Sequence, residues 1–147
     1  MRRFSLLVLI VAGLSGCGES APEVKLPPTV PVSGVVKMDG QPLSNATVTF
    51  IPQDQKGGPE CMGTTDDTGK YTLKQRGGAE GAPVGQHRVL ISRMLRGDGS
   101  PIPADGAGEG GVATETIPPK YSQSDATTLT ATVPEGGGEV NFDLESK

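Results

Sequence analysis

Tryptophan is absent from this 147-residue chain, histidine occurs once, and aromatic residues make up only 3% of it. One histidine and two cysteines cannot complete a tetrahedral zinc site once either thiol is otherwise engaged. A serine–histidine–acid arrangement would have to use His87, and the sequence supplies no nucleophile motif to set beside it. Sugar-binding platforms need exposed aromatics; Tyr71 and Tyr121 are the candidates, and both fall in packing patterns. Basic residues are also scarce, 13 against 17 acids for a net charge of −4, which excludes the basic footprint of a nucleic-acid partner. No apolar run reaches the roughly 20 residues of a membrane-spanning helix. After residue 17 no stretch sustains a helical period of 3.6.

The N-terminus does carry a pattern. Arg2 and Arg3 precede a short apolar run over residues 4–12, which gives out at Gly13 and Gly16. Cations, a short apolar core and then small residues are the layout of a secretory signal. The following Leu14-Ser15-Gly16-Cys17 resembles the lipobox of bacterial lipoproteins. That resemblance implies diacylglyceryl transfer to the Cys17 thiol, cleavage before it, and usually acylation of the new amino terminus. Each buried methylene contributes about 0.8 kcal/mol, so two or more chains anchor stably where one does not. Gly18, rather than aspartate, follows the cysteine, which is compatible with sorting to the outer membrane, facing the periplasm. Cleavage would also remove Arg2 and Arg3 and leave the mature chain at about −6. With Cys17 acylated, Cys61 is a lone thiol, expected as a small, semi-buried residue on a short strand.

Residues 18–31 are proline-rich and aperiodic, which predicts an extended tether from the lipidated cysteine to a domain over residues 32–145. From Cys17 onward, Leu, Ile, Val and Phe make up 24 of 131 residues, just under the ~20% that marks disorder, so their arrangement decides the matter. Apolar residues recur at every second position in short bursts: Val32, Gly34 and Val36; Ala46, Val48 and Phe50; Tyr71 and Leu73. The pattern continues with His87, Val89 and Ile91, with Leu129, Ala131 and Val133, and with Val140, Phe142 and Leu144. A period of two marks half-buried strands. Asp39-Gly40, Asp66 to Gly69, and Gly136 to Gly138 place turn chemistry between them. Residues 97–116 form a glycine-rich polar loop, expected to be disordered or loosely packed. Seven short strands without a helix predict a single-domain, all-β, antiparallel seven-stranded Greek-key β-sandwich.

Three separated segments resemble carboxypeptidase regulatory-like domains. Residues 32–50 match their opening V-x-G-x-V strand, D-G-x-P-L turn and A-x-V-x-F strand, with Asn45 where glycine is usual. Asparagine tolerates the left-handed backbone better than most residues. Residues 65–73 resemble the family's T-D-x-x-G-x-Y hairpin, and residues 81–89 its G-x-Y-x-V strand, with His87 in place of tyrosine. The resemblance implies a transthyretin-like architecture and no peptidase activity. The related hydroxyisourate hydrolases use several histidines and arginines and a Tyr-Arg-Gly-Ser ending, whereas this chain ends Leu144-Glu145-Ser146-Lys147.

Asp66 and Asp67 would be calcium ligands only with further oxygens, and they suit a turn better. Lys37 and Asn141 resemble the isopeptide pair of related adhesin domains, but residues 91–94 lack the buried acid that such a bond requires. The expectation is therefore a non-enzymatic envelope lipoprotein with no cofactor and no bound metal, held to the membrane through lipid on Cys17. An envelope protein is its expected partner, met by strand addition at an open sheet edge. The competing expectation is a small-ligand module for carbohydrate or calcium.

Overall fold

A computed structural model describes residues 27–53, 58–102 and 112–147. Cys17, the signal segment 1–16 and residues 18–26 lie outside the described residues, as does 103–111 within the glycine-rich loop.

In chain order the elements are β1 (Thr29–Val30), β2 (Val32–Met38), β3 (Gln41–Pro42), β4 (Thr47–Pro52), β5 (Cys61–Thr64), β6 (Lys70–Thr72) and β7 (Lys74–Gln75). Next come β8 (Ala82–Pro83), β9 (Gly85–Ser92), β10 (Met94–Leu95), β11 (Thr114–Glu115) and the single-turn helix α1 (Pro119–Ser122). The last three are β12 (Thr130–Val133), β13 (Gly138–Glu139) and β14 (Phe142–Leu144). The described chain is thus all-β and mostly antiparallel.

One five-stranded sheet runs β12-β9-β4-β5-β7. The other is built around β2, with β13 and β14 along one flank and β3 and β6 along the other. The alternating apolar residues explain why the two sheets meet. Val48 and Phe50 of β4 and Val89 and Ile91 of β9 point inward from the first sheet. Val32, Val36, Tyr71, Phe142 and Leu144 point inward from the second. Phe50 contacts Phe142 edge to face at 6.2 Å, and Phe142 stacks on Tyr71 at 6.5 Å, so a ring from the first sheet and two from the second join across the core.

Turn geometry follows the sequence closely. Asp39 and Gly40 both have positive φ, 51° and 80°, as a two-residue hairpin between β2 and β3 requires. Asn45 has φ 55°, the left-handed conformation expected where the resembled pattern has glycine.

Several expectations need correction. The sheet around β2 is not purely antiparallel: β13 and β14 both run parallel to it, pairing Gly138 with Val32 and Phe142 with Val36. The first long strand and the last two short ones are therefore neighbours, which periodicity cannot reveal because it carries no direction. Strand structure begins inside the expected tether, since β1 pairs with β8 at Thr29↔Pro83 and Val30↔Ala82. The stretch read as one strand over residues 81–89 is divided between β8 and β9. The loop 97–116 has an ordered stem, where β10 pairs with β11 and the Glu115 carboxylate accepts from the Arg93 and Ile117 N–H groups, both at 2.9 Å, and from the Ser92 hydroxyl.

Candidate functional site

The residues singled out for chemistry are mostly engaged in holding the fold. Asp66 opens the turn before β6, and its Oδ1 accepts from Thr68 N–H at 2.8 Å, Thr68 Oγ1 at 2.6 Å and Lys70 N–H at 3.0 Å. These bonds, the Thr68 hydroxyl first, hold its carboxyl below the usual carboxylate range. An oxygen so occupied caps its own turn. Among the described residues no three histidine, cysteine, aspartate or glutamate side chains come close enough to hold a metal ion.

His87 lies on β9 with 1% of its surface exposed. Its Nδ1 is 3.1 Å from the Gly85 carbonyl and its ring 5.6 Å from that of Phe50, so it fills core space. Cys61 lies on the short strand β5, fully buried instead of half-buried, and burial pushes its thiol up to about 11. A protonated, enclosed thiol is a poor nucleophile. Tyr71 is buried and donates to the Val140 carbonyl at 2.7 Å. Tyr121 is half-buried on α1, with Lys120 Nζ 4.9 Å from its ring centre. Tyr71 presents no open face, and Lys120 covers one face of the Tyr121 ring.

Lys37 and Asn141 do come together, around a hollow of about 210 Å³ that Val35 and Asp143 complete. Asn141, however, serves the backbone. Between β13 and β14 the ladder is interrupted, and the Asn141 Oδ1 accepts from Val35 N–H at 2.7 Å in its place. Lys37, Asn141 and Asp143 are all exposed, so the dry environment and buried acid of an isopeptide site are not formed there.

Sequence reasoning missed the groove where the two sheets meet, a space of about 730 Å³ lined by Thr47, Met62, Thr64, Lys70, Thr72 and Lys74 among others. It follows from β5, whose residues alternate buried and exposed and whose Met62 and Thr64 face outward. The alternation Cys61, Gly63, Thr65 was a readable signal, masked because a glycine and a threonine interrupt its hydrophobicity.

The sheet edges differ in chemistry. Along the β13–β14 edge, Asp143 lies between Glu139 and Glu145. At the opposite end of the first sheet, β7 is two residues long and bridges back from Lys74 to Glu80. The edge strand β12 pairs with β9 alone among the described strands. It lies in an uncharged run from Ala126 to Pro134, and Thr130 and Thr132 are exposed on it. Charge and proline are the usual protections of an edge, and within β12 neither is present.

No protein family and no curated protein matches this chain. Among solved structures, the crystal structure of a 9R-lipoxygenase from Cyanothece PCC8801 aligns with 80% of the chain at 16% identity and a TM-score of 0.34. The chain spans 16% of that protein's length, and a likeness this slight bears on neither fold nor function.

Proposed function

We propose that this chain is an exported bacterial lipoprotein, anchored through acylated Cys17 to the outer membrane on its periplasmic side. Its described part is a non-enzymatic module that binds another protein or supports structure near the membrane. In this reading the two sheets are a seven-stranded Greek-key sandwich of the carboxypeptidase regulatory-like, transthyretin-like kind. The lipobox-like Leu14 to Cys17 and the V-x-G and D-G-x-P-L segments support it, as does the positive φ of Asn45 within that pattern. The observation that carries the binding role is the uncharged, open edge of β12, a surface suited to strand addition.

Crosslinking pull-down from intact cells, comparing the wild-type chain with Cys17→Ser, tests the proposal. A specific protein captured only by the anchored form is the expected result. Capture of nothing by either form would count against it and move a carbohydrate or calcium module forward, to be measured by binding isotherms.

A further inference from the structure

We infer that β12 is a self-association edge and that the strand it receives is β12 of a second copy of this chain. This rests on the binding-module reading and names its partner. Val89 N–H donates to Leu129 O at 2.9 Å, which makes that pair a hydrogen-bonded one. Such pairs alternate along an antiparallel ladder, so His87↔Ala131 and Gly85↔Val133 are bonded pairs too. The N–H and C=O groups of Thr130 and Thr132 therefore point away from β9, along the open edge.

A second copy approaching about a two-fold axis at Ala131 satisfies all of these groups at once. Thr130 of each copy lies opposite Thr132 of the other, in hydrogen-bonded pairs. Ala131 meets its own counterpart in the close, non-bonded position, where Cα atoms are about 4.5 Å apart and a small side chain fits. The exposed hydroxyls of Thr130 and Thr132 then form a ladder across the junction, a favourable cross-strand pairing. Charge selects this edge over the others. Two β14 edges would bring Glu139, Asp143 and Glu145 against like charges, whereas nothing between Ala126 and Pro134 is charged. The nearest cation, Arg88 beside Thr130, donates to the Ser124 carbonyl of its own chain. Pro134 has no N–H and ends the ladder, so the contact is short and closes on itself as a dimer. Confinement of anchored copies to one membrane raises their effective concentration at such a small interface.

The test uses the full chain bearing Cys17→Ser, so that its outcome does not depend on the anchor. Thr130→Cys and Thr132→Cys are prepared separately and oxidised alone and mixed. Disulfide-linked dimer should form about ten-fold faster in the mixture, because only opposite positions lie within bridging distance. Equal rates in all three samples would overturn the register. Sedimentation across a concentration series should show dimer for the wild-type sequence and monomer for Thr132→Pro, whose lost N–H faces the open edge, and for Thr130→Lys should that proline impair folding. A wild-type chain monomeric at millimolar concentration refutes self-pairing. If Thr132→Pro instead abolishes capture of a different protein in the pull-down, self-pairing fails while the binding-module reading stands.

Discussion

The Tyr71 hydroxyl reaches the Val140 carbonyl at 2.7 Å, and the space for its ring is made by what faces it. A methyl group on Gly34 would lie 1.8 Å from the Val140 oxygen and 3.0 Å from Tyr71 Cε1. Gly34 is thus required by close approach, since only a missing side chain lets β2, β6 and the last strands meet. Tyr71→Phe should cost about 1–3 kcal/mol by leaving the carbonyl without its donor. Gly34→Ala should cost more than about 3 kcal/mol, since backbone must shift. Urea denaturation of both variants checks the order, and a Gly34→Ala loss smaller than that of Tyr71→Phe would contradict it. Cys61 makes stability depend on pH. Its thiol is raised from 9.0 to about 11 by burial, so the native state keeps its proton where the unfolded chain loses it. The stabilisation is full below pH 9 and is lost as pH rises toward 11. Cys61→Ala should flatten the fall in denaturation midpoint that begins there, ahead of the later contribution from Tyr71, whose hydroxyl is raised as well.

Among the elements, most strands of three residues or more were legible and the two-residue ones were not. Val48, Phe50, Val89 and Ile91 alternate without interruption, so β4 and β9 could be placed to within a residue or two. β1, β7, β8, β10 and β11 have two residues each, too few for any period to show. They exist because neighbouring backbone happens to lie within pairing distance, which is tertiary information. The stem of the glycine-rich loop is the clearest case: its anchor is Glu115, an acid whose partners Ser92 and Arg93 lie more than twenty residues earlier. Glu115→Ala should cost about 1–3 kcal/mol by removing the acceptor from part-buried N–H groups. Limited proteolysis should then cut faster within residues 93–117, and an unchanged cleavage rate would show that the stem holds without it. The candidate site was legible in a different sense. His87, Cys61 and Asp66 could be assigned structural work from sequence, whereas the groove beside Met62 and the open edge of β12 needed strand order.

At the scale of the whole molecule, stability depends on the two sheets sharing one core. Phe50→Ala and Phe142→Ala should each cost about 3–5 kcal/mol. Because the two rings touch, the double variant should lose less than the sum, by about 0.5–1.5 kcal/mol. Calorimetric melting of the four chains measures this, and strict additivity would mean that the sheets do not meet at these rings. The parallel pairing of β2 with β13 and β14 has a mechanical consequence. The N-terminal end of β2 and the C-terminal end of β14 lie at opposite ends of the same ladder, from Val32↔Gly138 to Met38↔Leu144. A pull between the two termini therefore loads these hydrogen bonds in shear, all together, instead of peeling them apart one by one. A domain held at its N-terminal side and tugged beyond Lys147 would resist as a clamp.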